Sequence, residues 1–129
     1  MSMSKIKTFE AACKYLKLDP VNVLPGLQGI PQQHQESTTA YVKLVIVAEA
    51  LNKEANGREQ WKPDWTNDDE WKYYPWFDLS SGSGLSFNDY GDRDSTSYVG
   101  SRLCFKTAEL AKYAGKQFLK LYEQYFLLK

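Results

Sequence analysis

The amino-acid sequence predicts an α+β fold: a three-stranded antiparallel β-meander packed with about three α-helices, in the order α-α-β-β-β-α. Two observations lead to this prediction. Both ends of the chain space their apolar residues as amphipathic helices do, whereas 71–105 contains short, alternating segments separated by turn residues. Because helices and strands are segregated along the chain, α+β is favoured over a doubly wound parallel sheet.

Threonines mark the starts of the first and last predicted helices. Thr8 can cap a helix over 9–18, and Thr107 can cap a final helix that includes 111–125, because a threonine hydroxyl accepts a hydrogen bond from the first-turn backbone. Both segments place their apolar residues on one face and lysines on the other.

The second predicted helix is the longest and the most apolar. Pro31 suits its first turn and Gly57 its C-terminal stop, so it covers about 31–56. Its centre, 41–51, is apolar enough to lie in the middle of the fold. The β-branched run 45–47 would also suit a strand, but the flanking residues lack strand alternation.

Three predicted strands follow: the first two form a hairpin, and the third comes after a loop. The first covers 71–79, where Pro75 implies an edge strand or a bulge. A Ser/Gly turn leads to a second strand at 85–90, a loop covers 90–97, and the third strand is predicted at 98–105.

Size and charge indicate the class of protein. The chain has 129 residues, which fits a single domain over 1–129, with 1–6 expected to be a disordered tail. Sixteen basic and sixteen acidic residues leave a formal net charge of zero, which does not favour a protein that coats nucleic acid. The charges are segregated: 59–94 holds nine acidic and three basic residues, and 102–129 holds six basic and two acidic ones.

The cysteines and the chain's N-terminal residues indicate the compartment. Cys13 and Cys104 lie in no CxxC or Cys/His pattern, so both are expected to be buried, reduced thiols. The sequence shows no signal-peptide pattern and no apolar run long enough for a membrane span. The expected location is the cytoplasm.

Aromatic side chains are concentrated in 61–77, which contains every tryptophan of the chain. Such rings form protein-binding hot spots and also stack on nucleic-acid bases. In a strand, alternation sends one set of rings to the core and leaves the other in need of a cover or a ligand. The predicted partner-binding residues are Trp61, Trp65, Trp71, Tyr74, Trp76 and Arg102.

Other charged groups are weaker candidates. Arg102 could pair with an aspartate of the 90–97 loop or bind a carboxylate or phosphate. Asp92 and Asp94 alternate as calcium-loop ligands do, but the later ligands are missing, so a solvated turn is favoured. His34 is the only histidine and is expected to face solvent. A possible phosphate-binding face on the last helix, otherwise simply solvated, comprises Lys112, Lys116 and Lys120.

Four sequence motifs together carry a family resemblance. They are W-K-P-D-W at 61–65, Y-Y-P-W-F at 73–77, G-S-R-L-C-F-K-T at 100–107 and E-L-A-K-Y-A-G-K-Q-F at 109–118. In this combination the chain resembles a family of small uncharacterised proteins of gut Bacteroidetes and their phages and prophages. The resemblance implies an origin in a bacteriophage or prophage, and it implies no catalytic residue. It therefore implies the cytoplasm of a bacterial host cell as the location, with association with a virion as the alternative.

The sequence therefore predicts a non-enzymatic binding module that uses its aromatic-rich sheet for a protein partner or for self-association. It contains no catalytic, metal or cofactor motif, so no metal and no cofactor are expected. One alternative is single-stranded nucleic-acid binding by aromatic stacking and the lysine face. Another is a small-ligand receptor that interferes with host defence, with a pocket lined by Tyr74, Trp76 and Arg102.

Overall fold

Four α-helices and one two-stranded sheet make up the described part of the chain. The computed structural model describes residues 4–67, 69–78, 86–93 and 101–127. The elements in chain order are α1 (Phe9–Leu16), α2 (Gln32–Ala55), β1 (Lys72–Asp78), β2 (Ser86–Arg93), a 3₁₀-helix (Ser101–Leu103), α3 (Ala108–Gln117) and α4 (Leu119–Phe126).

Helix α2 lies at the centre of the fold, as its apolar sequence predicts. It packs against α1, α4 and the 3₁₀-helix, while the β1–β2 hairpin packs against α3. The core includes Leu44, Val47 and Leu51 from α2, together with Phe105 and Tyr122. The predicted helical stripes therefore supply most of the core.

The prediction of a three-stranded meander is wrong. The described strands are two, β1 and β2, paired antiparallel with an irregularity between Trp76 and Phe77. β2 extends to Arg93, beyond the predicted strand end. Where the third strand was predicted, the described residues form the 3₁₀-helix and a single β-bridge between Tyr73 and Phe105. The fold is mostly helical as a result.

The side chain of Asn52 holds the segment 104–106 against α2. Asn52 is buried on α2, and its Nδ2 donates to the Cys104 carbonyl oxygen at 3.0 Å. Its Oδ1 accepts from the Lys106 backbone N–H at 2.8 Å. One amide thus satisfies a donor and an acceptor on one edge of the segment, while Phe105 pairs with Tyr73 of β1 on the other edge. The 3₁₀-helix over Ser101–Leu103 comes directly before, so the pairing with β1 is limited to one bridge among the described residues.

The predicted helix starts are confirmed and one predicted helix is divided. Thr8 Oγ1 accepts from Ala11 N at 3.0 Å, and Thr107 Oγ1 accepts from Leu110 N at 3.2 Å. The last helix was expected to be continuous, but Phe118 departs from helical geometry (φ −111°, ψ 28°) and separates α3 from α4. Phe118 is buried, so the break keeps its ring in the core.

Residues 4–6 of the predicted tail over 1–6 contact the rest of the protein, and residues 1–3 lie outside the described part of the chain. Ile6 is only 2% exposed and belongs to the core, and Ser4 Oγ donates to Glu54 Oε1 at 2.7 Å. Tyr113 Oη donates to the Ile6 carbonyl oxygen at 2.7 Å. Residues 4–6 are therefore tied to α2 and α3.

Membrane insertion finds no support in the helices. Among the described residues, no helix combines the length and apolar character needed to cross a bilayer.

Candidate functional site

The aromatic segment divides between core and surface. Tyr74 is 1% exposed, so it is a core residue and cannot contact a partner directly. Trp71 is 52% exposed, whereas Trp61 and Trp65 are half-buried. The Trp76 side chain lies outside the described part. Of the predicted binding set, Trp71 is the ring that the structure places clearly at the surface.

Both sides of β1 are at least partly covered. Lys72, Tyr74 and Pro75 are buried, which departs from simple alternation. On the other side, the Phe77 ring lies 4.8 Å from the Tyr122 ring and 5.9 Å from the Phe126 ring, so α4 covers it. Among the described side chains of this segment, the clearly exposed apolar ring is that of Trp71, directly before the strand.

We call residues 61–71 the tryptophan loop; its described parts are 61–67 and 69–71. The loop is held by the buried ammonium group of Lys72, which is 1% exposed. Lys72 Nζ donates to the carbonyl oxygens of Asp64 at 2.7 Å and Asn67 at 3.0 Å. The same ammonium lies 3.5 Å from Glu70 Oε1 and 5.2 Å from the centroid of the Trp65 ring.

Side chains within the loop add further hydrogen bonds. Asp64 Oδ1 accepts from Thr66 Oγ1 at 2.6 Å and from Thr66 N at 3.0 Å, and these bonds lower the pKa of the Asp64 carboxyl. Glu70 Oε1 accepts from Asp64 N at 2.6 Å. The loop is therefore closed on itself by polar contacts while Trp71 projects from its end.

The remaining predicted site residues lie on other elements of the fold. Arg102 is exposed and lies in the 3₁₀-helix, so its predicted place on a strand is wrong. Lys112, Lys116 and Lys120 are exposed, with the first two on α3 and the third on α4. The lysine face is thus present as predicted, although the helix break at Phe118 divides it.

Three other predicted features have clear outcomes. His34 is exposed, as expected, and Cys13 and Cys104 are buried free thiols. Burial raises the pKa of both thiols, that of Cys104 to about 11. Asp92 belongs to β2 and not to the predicted loop, whereas Asp94 falls outside the described residues.

The structure also contains a cleft that the sequence reasoning missed. It has a volume of about 1130 Å³ and lies between residues 4–6, α1, the end of α2 and the start of α3. Because these residues come from four separate segments, no local pattern indicates the cleft. The residues used below are Ser4, Lys14, Tyr15, Glu54, Arg58, Leu110 and Tyr113.

The walls of the cleft combine aromatic, apolar and charged groups. Burial raises the pKa of the Tyr113 hydroxyl, and its bond to the Ile6 carbonyl oxygen orients the ring. Glu54 accepts a hydrogen bond from Ser4, as described above. Arg58 follows Gly57, and both have a left-handed backbone, with φ of 68° and 67°.

Among the described residues, no group of three histidine, cysteine, aspartate or glutamate side chains could hold a metal ion. No protein-family model matches this chain, and no curated protein or solved structure does so either. The geometry of the tryptophan loop and of the cleft therefore carries the functional argument.

Proposed function

We propose that this chain is a non-enzymatic binding module that holds a protein partner through Trp71. The observation that carries the proposal is the pairing of a 52% exposed indole with a 1% exposed lysine at the next residue. Tryptophan is the residue type most enriched among interface hot spots. An exposed ring fixed to a buried neighbour is a suitable anchor for a partner's apolar pocket.

Preorganisation of the loop supports this role. The Lys72 ammonium binds two loop carbonyl groups, and Asp64 and Glu70 close the loop further. A loop that is already ordered loses less conformational entropy on binding, so more of the contact energy contributes to affinity.

Charge around the ring indicates the partner's chemistry. Asp64 and Asp69 are exposed and Glu70 is half-buried, so carboxylates lie close in sequence to Trp71. A partner with a basic rim around an apolar pocket would be electrostatically complementary. The same carboxylates disfavour a nucleic-acid strand, whose phosphates they would repel.

The proposed setting is that of the family resemblance. A phage or prophage origin would place the partner in the cytoplasm of a bacterial host cell. An aromatic anchor without catalytic groups suits a protein that acts by occupying a host or phage protein.

Site-specific photocrosslinking in the source cell tests the proposal. A benzophenone amino acid at position 71 should yield a discrete crosslinked partner, because the side chain projects into the proposed interface. Position 21 is the matched control, since Val21 is 74% exposed and lies outside the tryptophan loop.

Charge reversal provides the second arm of that experiment. With the crosslinker at position 71, Asp69→Lys should reduce the crosslinked yield and weaken its dependence on salt, because it removes attraction to a basic rim. Equal crosslinking from positions 71 and 21, or a yield unaffected by Asp69→Lys, would show that Trp71 is not the anchor of a basic partner.

A further inference from the structure

The cleft beside α1 is independent of Trp71, which does not line it. Its volume of about 1130 Å³ slightly exceeds that of typical ligand sites, which measure about 300–1000 Å³, so a small molecule fits with room to spare. Small-molecule sites commonly pair apolar and aromatic walls with a few placed polar groups, and this cleft has both kinds of lining.

One wall of the cleft is aromatic and apolar, and contacts within the protein hold it in place. Tyr15, Leu110 and Tyr113 are half-buried, so each keeps part of its side chain accessible to a ligand. Tyr113 Oη donates to the Ile6 carbonyl oxygen at 2.7 Å, which holds the phenol in place. A flat or aliphatic ligand body would therefore meet a preformed apolar surface.

The acidic and basic groups of the cleft differ in whether the protein itself supplies them with a favourable partner. Glu54 accepts a hydrogen bond from Ser4, and Glu109 lies in the first turn of α3, where a carboxylate is favourable. Lys14 and Arg58, like the exposed Lys5 that also lines the cleft, make no ion pair within the described part of the chain. The acidic groups are accommodated by the protein, whereas these cations remain available to an anion.

The backbone at Arg58 adds an independent observation. Its φ of 68° lies in the left-handed region, which is unfavourable for a residue with a side chain. Glycine would adopt this conformation without strain, as Gly57 does at φ 67° immediately before it. The chain therefore carries an exposed guanidinium at the rim of the cleft, at a position where glycine would be less strained.

We infer that the cleft binds a small organic anion whose apolar or aromatic body lies against Tyr15, Leu110 and Tyr113. The anionic group, a carboxylate in the simplest case, pairs with Arg58 and Lys14. A guanidinium can bind a carboxylate through two parallel hydrogen bonds, which gives orientation as well as affinity.

The test uses matched acid and amide probes. Indole-3-acetate, phenylacetate and decanoate are titrated into the full chain, each beside its neutral primary amide, while the ring resonances of Tyr15 and Tyr113 are followed by NMR. Because a charge-assisted pair is lost in the amide, at least one acid should bind about tenfold more tightly than its amide.

Two glycine variants assign that preference to Arg58. Arg58→Gly removes the guanidinium and relieves the left-handed strain, so the protein should stay folded and the acid should lose its advantage. Lys17→Gly is the matched control: Lys17 is exposed, has φ of 61° and does not line the cleft, yet its loss also removes one positive charge. Lys17→Gly should therefore retain the full preference for acid over amide.

Each result decides the inference. The inference is supported if Arg58→Gly loses the preference for acid over amide and Lys17→Gly retains it. If Arg58→Gly unfolds, Arg58→Asn replaces it, because asparagine also tolerates a left-handed backbone. Equal affinity for acid and amide, preference retained without Arg58, or no change at Tyr15 and Tyr113 at millimolar probe would overturn it.

Discussion

Two buried polar side chains, Asn52 and Lys72, hold two irregular segments of this chain in different ways. The Asn52 amide pairs one carbonyl and one N–H of 104–106, and so holds that segment extended beside α2. The Lys72 ammonium can only donate, and it gathers two carbonyl oxygens of the tryptophan loop around itself.

The hydrogen-bonding capacity of a buried side chain therefore influences the shape of the backbone that it holds. An amide offers a donor and an acceptor in one plane, which resembles the edge of a strand. An ammonium offers three donors and no acceptor, so its partners are carbonyl oxygens that curve around one point. The first arrangement completes the core, and the second presents Trp71 at the surface.

The largest effect is expected from Asn52→Ala. It leaves the Cys104 carbonyl and the Lys106 N–H without their partner in a buried place, and should lower the free energy of unfolding by about 3 kcal/mol. Urea denaturation measures this change. Asn56→Ala is the matched control, because Asn56 bonds Lys106 Nζ and the Glu59 carbonyl nearer the surface and should cost under about 1 kcal/mol.

A pH series tests the same segment through Cys104. Burial raises the pKa of this thiol from 9.0 to about 11, so folding favours the protonated form. The associated stability is present below pH 9 and is lost as the pH rises through about 11, by about 2–3 kcal/mol in total.

The comparison with Cys104→Ala isolates that contribution. The variant should lose less free energy of unfolding than the parent between pH 8 and about 10.5, because it lacks the buried thiol. Parallel curves for the two proteins would mean that Cys104 can ionise in place and that the 104–106 segment is less tightly held than Asn52 implies.

A smaller effect is expected from Lys72→Met. Methionine fills the buried aliphatic volume but cannot bind the Asp64 and Asn67 carbonyls, which can turn to water because the loop lies at the surface. The cost should be about 1–2 kcal/mol. Hydrogen exchange should accelerate in the tryptophan loop while the amide of Lys106 stays protected. Equal acceleration at both places would show that the two segments are not held independently.

The sequence predicted the helices well because their signals are local. Thr8 and Thr107 cap α1 and α3, and the apolar stripe of α2 lies at the centre of the fold. Helix caps and 3.6-residue periodicity act within a few residues, so they can be read without knowing what packs nearby. The break at Phe118 was missed because it depends on where that ring fits in the core.

The candidate sites were only partly predictable for the opposite reason. The density of tryptophans indicated the tryptophan loop, but alternation did not show that the buried side of β1 begins with Lys72, and it fails at Pro75, which is buried next to Tyr74. The cleft had no sequence signal at all, because Tyr15, Arg58 and Tyr113 meet only after the chain has folded. The separation of acidic and basic residues along the chain indicated neither the exposure of Trp71 nor the cleft.

By itself, the sequence determined the helical segments, the first hairpin strand, the two buried thiols and the concentration of aromatic rings. Only the tertiary structure decided that 101–105 forms a 3₁₀-helix and a single bridge to β1 while it docks on α2, and that a single tryptophan of the loop is clearly exposed. The physical reason is that both outcomes depend on burial and on hydrogen bonds to backbone groups elsewhere in the chain, 52 residues away for Asn52 and five to eight residues away for Lys72. A residue's own type does not show which distant backbone groups it will satisfy.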